Sequence, residues 1–381
     1  MHPTHHEPLV RISKRDSMRF AERIGIRGVA LVLSLLVSAV FIFLVVNLNP
    51  LRVYASMWEG VFGGPALRWQ YVRNMMILTA IAIGLAPAFK MKFWNIGAEG
   101  QVLAGAIGAA FFMINFAGKM AEWQLFICMI GASLILGAIW GLIPGFFKAH
   151  WNANETLFTL MMNYIAICFT AFCVSKWESP PGSNSVGKIK YMGKERIGWI
   201  GDLLKNDRPV KYENDFLWLV IIVVLLAIFM FIYLRYTKHG YEISVVGDSE
   251  NTAKYAGIRV KKLFVRTMAL SGAICGFTGF LIVSAVDFTV STDTAGGRGF
   301  TAIIVAWLAK MNPFVMFLIA ALLTFLDKGA TQIATDFQLN EFASEIVSGI
   351  VLFFVLGCEF FINYKMTFRS RTAKMEGGEV K

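Results

Sequence analysis

Charge is scarce in this chain. Asp, Glu, Lys and Arg make up 16% of its 381 residues, against roughly 25% in soluble domains. That shortage excludes an ordinary globular surface. Cysteine is sparse too: Cys128, Cys168, Cys173, Cys275 and Cys358 lie in or beside apolar runs, and none forms a CxxC pair. They read as small hydrophobes, not as disulfides or metal ligands. His2, His5 and His6 fall in a short polar tail and are not read as a metal site. No paired-carboxylate, Ser/His/Asp or HExxH arrangement is present, so the residues indicate no enzyme. GSNSVGK at 182–188 imitates a phosphate loop, but Ile189 stands where magnesium requires Ser or Thr, and no strand precedes it. The chain therefore has no nucleotide-binding signal and is not expected to hydrolyse ATP itself. The longest polar stretch, 176–215, is too short for an independent soluble core.

What is abundant is apolar. Hydrophobic residues reach 56%, and the mean hydropathy is +0.59. A bilayer needs this, because each helical span takes about 20 mostly apolar residues. The fold class expected is all-α, a polytopic transmembrane bundle. Apolar runs fall at 29–47, 74–89, 97–116, 124–147, 156–175, 216–234, 263–285, 299–311, 313–327 and 344–363. The run at 299–311 is too short to cross alone at about 1.5 Å per residue. With ten spans the count is complete; if 299–327 forms a re-entrant hairpin, eight remain.

The net charge of +11 fits basic residues kept at the inner ends of spans. Nucleic-acid binding is not indicated, since no basic stripe lies on a soluble domain. The expected organisation is a basic cytoplasmic tail at 1–28, a membrane domain at 29–363 and a cytoplasmic tail at 364–381. Both termini are then inside. The loops at 90–92, 148–152, 236–262 and 310–312 also carry Lys or Arg and fall on the inner side. The long loop at 176–215 falls outside; it is basic, but its acidic residues leave little net charge. The first apolar run lacks a cleavage site and reads as a retained span. An amphipathic stretch at 51–61 is expected to lie along the outer face.

Small residues stand at helical spacing: Gly272, Gly276 and Gly279; Gly137, Gly141 and Gly145; Gly105 and Gly108. They read as close helix packing in lipid. Four polar segments interrupt the apolar pattern. The first holds Trp94, Asn95, Gly97, Glu99 and Gln101, and it breaks one apolar passage in two. Non-helical backbone at membrane depth needs protein or water around it. The break either shapes a translocation path or is a short turn with Glu99 in the first turn of the next helix. The second holds Asn154, a helix cap, and Asn163, an intramembrane amide that reads as interhelical glue or as part of the path wall. The third is 236–262, punctuated by Gly240, Gly247 and Gly257, with 251–255 short enough for one or two helical turns. It reads as a knob presented to a cytoplasmic partner. The fourth, 287–300, is expected to be a solvated outer loop, with Asp287 and Arg298 placed to meet a partner or gate the mouth.

FWNIGAEGQ at 93–101, NETLFTLMMNYIA at 154–166, GYEISVVGDSENTAKYAGI at 240–258 and GRGFTAIIVAWLAKMNP at 297–313 together resemble the ABC-transporter permeases of the branched-chain amino acid, ribose and nucleoside group. The form of IGAEGQ and the long outer loop look most like nucleoside-type permeases served by basic-membrane-protein lipoproteins. Riboflavin and simple-sugar systems have similar permeases. The resemblance implies import across a bacterial inner membrane by a permease subunit. It implies a cytoplasmic ABC ATPase that carries ATP and Mg, a second permease subunit and an extracytoplasmic binding lipoprotein, with no cofactor on this chain. By matching position, coupling to the ATPase falls on Gly240, Glu242, Gly247, Asp248, Ala253, Gly257 and Ile258. Asn95, Gly97, Glu99 and Gly100 match the family's interrupted-helix motif, and the translocation path is assigned to Trp94, Asn95, Gly97, Glu99, Gln101 and Asn163. An ion-gradient transporter is the alternative. It wants several carboxylates inside spans, and only Glu99 qualifies.

Overall fold

The computed structural model describes residues 10–15, 19–116, 119–178, 186 and 212–368. Most of the loop at 176–215, including all of the phosphate-loop imitation at 182–188 but Val186, lies outside them, as do 1–9 and 369–381. Thirteen helices and two short strands make up the described residues, in the order β1 (Val10–Lys14), α1 (Phe20–Phe41), α2 (Pro50–Phe62), α3 (Pro65–Lys90), α4 (Ala98–Phe116), α5 (Glu122–Trp151), α6 (Glu155–Trp177), α7 (Tyr212–Tyr236), α8 (Lys238–Asp248), α9 (Glu250–Tyr255), α10 (Val260–Leu281), α11 (Arg298–Leu308), α12 (Pro313–Asp336), α13 (Glu341–Asn363) and β2 (Tyr364–Phe368). Wider π-helical turns extend α1 over Ile42–Val46 and α10 over Ile282–Val286. The architecture is an all-α membrane bundle. Among the described residues nine helices are long and apolar enough to cross a bilayer, and α11 is a tenth, shorter apolar helix.

The chain divides into two compact units, 1–60 with 326–381, and 61–325. In the first, Arg27 pairs with Glu359 at 2.5 Å, Ser56 donates to Asp336 at 2.6 Å, and Tyr54 donates to the Leu35 carbonyl at 2.6 Å. Both flanks had been expected to be plain tails, yet residues from each form strands. β1 and β2 pair antiparallel, with Val10 opposite Phe368 and Lys14 opposite Tyr364. The cause is a two-residue alternation in VRISK and YKMTF, which favours strands over helix. The pairing holds the start of α1 and the end of α13 at one end of this unit. α12 runs 24 residues to Asp336, past the end of the run read at 313–327.

The second unit is built around α3, α4 and α10, whose side chains are mostly buried. The glycine stripes explain how they meet. A Cβ on Gly105 would strike the backbone of Gly276, one on Gly137 the backbone of Gly272, and one on Gly141 the carbonyl of Met268. α4, α5 and α10 therefore pack backbone to backbone, the arrangement small residues allow in lipid. Ser133 seals the contact by donating to the Gly105 carbonyl at 2.7 Å.

Candidate translocation path and coupling segment

α3 ends at Lys90, and residues 93–96 are non-helical before α4 begins at Ala98. A non-helical stretch inside a bundle leaves N–H and C=O groups without helical partners. Side chains from other helices supply them. Thr159 on α6 accepts from the Ile96 N–H at 3.1 Å. Asn163 donates to the Ile96 carbonyl at 2.9 Å and accepts from the Gly100 N–H at 2.9 Å. Asn95 accepts from the Gly97 N–H at 3.0 Å and donates to Ser271 of α10 at 3.2 Å. Gln101 donates back to Asn95 at 3.2 Å. Asn95, Gln101 and Asn163 are buried, and their amides are used in holding the break open.

Glu99 lies in the first turn of α4 and is also buried. Its carboxylate serves another helix: it accepts from the N–H groups of Gly297 at 2.7 Å and Gly299 at 2.8 Å. These are donors at the start of α11 that no residue of α11 can satisfy. A carboxylate there also complements the positive end of the helix dipole. Gly299 has no room for a side chain, because a Cβ would collide with Glu99 itself. The segment leading into α11 is thus not the solvated loop its Thr and Gly content suggests. Val290, Thr294 and Ala295 are buried. Arg73 of α3, Asp287 and Arg298 interact electrostatically beside it.

At the other end of α11, the Trp307 ring stacks on Trp94 with centroids 5.0 Å apart. Phe89 meets both edge-on. Trp94, Phe300 and Trp307 are exposed, so α11 and the break present one aromatic strip. Composition hid this strip, since 14% of the residues are aromatic. The signal available was the spacing of Phe300, Ile304 and Trp307 on one face of a helix too short to span.

The segment 236–262 folds into two helices. Thr237 caps α8 by accepting from the Gly240 N–H at 3.1 Å, and Ser249 caps α9 by accepting from the Thr252 N–H at 3.3 Å. The glycines there have separate tasks. Gly240 lies against the Tyr233 and Leu234 backbone, and Gly247 against the Lys90 carbonyl. Gly257 has φ +77°, the left-handed conformation that closes a helix. Its N–H donates to Lys254 at 3.1 Å and that of Ile258 to Ala253 at 3.0 Å. Ala253 is fully buried, while Glu242 is half-buried and Asp248 exposed. Tyr255, passed over in the sequence, projects from α9 with 93% of its surface exposed. Lys90 also donates to the Leu234 carbonyl at 3.2 Å. α8 therefore sits directly on the end of α3 that leads into the break.

The family described as branched-chain amino acid transport system / permease component matches residues 68–356. The chain is 30% identical to the guanosine ABC transporter permease protein NupP of Bacillus subtilis, over 86% of this chain and 91% of the relative. It is 26% identical to the nucleoside ABC transporter permease protein NupB of Lactococcus lactis, over 85% and 88%. It is 23% identical to the glucose ABC transporter permease protein TsgB13 of Haloferax volcanii, over 84% of each.

Proposed function

This chain belongs to the branched-chain amino acid transport system permease family, and from that membership we propose that it is the membrane subunit of an ATP-driven importer of nucleosides. Permeases of this family are transport components, not catalysts. ATP and Mg are held by a separate cytoplasmic ATPase. A second permease subunit completes the path, and an extracytoplasmic binding lipoprotein delivers the solute through the inner membrane. The contact of α8 with the end of α3 carries this reading. A push on α9 reaches Lys90 through Gly247, and Lys90 is followed directly by the break at 93–96. The break bears Trp94, which stacks on Trp307. Movement of the α8–α9 knob is thereby converted into movement of the aromatic strip.

A nucleoside is favoured over a sugar on two grounds. Guanosine and nucleoside appear in the names of the first two relatives, and the exposed faces of Trp94, Phe300 and Trp307 suit a planar base. Glucose, in the name of the third, is the competing solute. The test is reconstitution of the chain with its ATPase, second permease and binding protein in vesicles. ATP-dependent guanosine uptake that glucose does not compete is expected. Uphill uptake by the chain alone on a proton or sodium gradient would overturn the proposal.

A further inference from the structure

A cavity of about 560 Å³ opens between α8, the segment after α9 and the start of α10. Its lining includes Lys238, Arg259, Lys262 and Arg266, set against the single carboxylate of Glu242 and the imidazole of His239. The four cations are exposed, and none makes an ion pair with another described residue. Four positive charges gathered around one concavity repel one another, an arrangement that a bound anion relieves. The place matters as much as the charge. Lys238 follows the last residue of one span by two positions, and Arg259 precedes the first residue of the next. The cavity therefore lies at headgroup depth between two spans, where basic pockets take lipid phosphates.

We propose that this cavity is a binding site for a phosphate-bearing anion, held by Arg259 and Arg266 with Lys238 and Lys262 around it. Arginine forks match two phosphate oxygens at once, and the lysines add point charge. Two sources carry that chemistry: the headgroup of an anionic phospholipid and soluble phosphate. Glu242 opposes any such ligand from within the lining, so its neutralisation strengthens binding. Occupancy would brace α8 against the start of α10. Glu242, Gly257 and Ile258 belong both to this lining and to the segment assigned to ATPase coupling, so the inference is read from ligand binding to the purified chain, which uptake does not enter.

The full chain is purified in neutral detergent and titrated with phosphatidylglycerol, phosphatidylcholine and inorganic phosphate, with bound ligand counted by native mass spectrometry. Phosphatidylglycerol is expected to bind and phosphatidylcholine not. Binding should weaken about thirtyfold in the Arg259→Gln, Arg266→Gln variant, at about 1 kcal/mol per cation and a tenfold factor per 1.4 kcal/mol. Glu242→Gln should tighten it, which keeps the test sharp even if the double variant is poorly folded. Inorganic phosphate binding with the same dependence on the two variants assigns the site to a soluble anion. Equal retention of both lipids and no phosphate binding, or binding indifferent to all three substitutions, overturns the proposal.

Discussion

Gly247 meets the backbone carbonyl of Lys90 with no space for a side chain between them. A Val there must displace α8 from the end of α3, at a cost of about 1–3 kcal/mol for overpacking. Gly247→Val should lower both the thermal stability in detergent and the uptake per folded molecule. Unchanged uptake per molecule would mean that α8 can leave α3 without consequence, and the relay would be discarded.

Gly257 adopts φ +77° and donates through its N–H. Proline fixes φ near −65° and has no N–H. Gly257→Pro should unwind the end of α9 and abolish uptake while membrane insertion continues. Quantitative immunodetection beside uptake measures both. Normal uptake refutes a coupling role for this turn.

Glu99 holds the first turn of α11 by two hydrogen bonds. In Glu99→Gln one acceptor oxygen becomes a donor facing another donor, so one bond to a charged group is lost, worth about 1.5–3 kcal/mol. Glu99→Ala leaves both N–H groups without a partner and should be worse. Unfolding curves should rank wild type above Gln above Ala. A carboxylate serving only as a solute contact would leave the three curves superimposed.

Trp94 and Trp307 stack across the break. A double-mutant cycle with Ala at each position should give a coupling of about 1 kcal/mol in stability. The single variants should also raise the KM for guanosine more than for glucose. Equal effects on both solutes would remove the strip from substrate selection.

His239 is buried between the Tyr233 hydroxyl and Thr267. Burial lowers its pKa below the usual 6.5, Arg266 lowers it further, and Glu242 opposes them. The unfolded chain therefore binds this proton before the folded one does. The stability linked to this group is fully present above about pH 6.5 and is lost as pH falls through the lower folded value. His239→Gln should flatten the stability profile below pH 6.5. An unchanged slope would show that another group titrates there.

The helices were legible because their apolar runs are long, and the glycine stripes at 137–145 and 272–279 announced close packing, though not that α5 meets α10. The cap at Asn154 was equally plain, and it accepts from the Leu157 N–H at 3.1 Å. What escaped was anything set by partners distant in the chain. Glu99 could be seen to sit in a first turn, but not to serve a helix 198 residues further on. The burial of Val290, Thr294 and Ala295 escaped because Thr, Gly and Asp give the same composition to a solvated loop and to a segment partly packed against protein. The strands escaped because VRISK and YKMTF are short, and strand pairing is decided by the partner.

The β1–β2 pairing and the bond from Arg27 to Glu359, 332 positions apart, tie the earliest helix to the latest. Closing a loop that long carries an entropy term that grows only with its logarithm, so the finished unit tolerates it. The ribosome does not deliver both partners together, however. α1 must wait in the bilayer, with its long-range contacts unmade, until α13 has emerged. The window in which this chain is open to degradation or mispairing therefore lasts for nearly its whole synthesis.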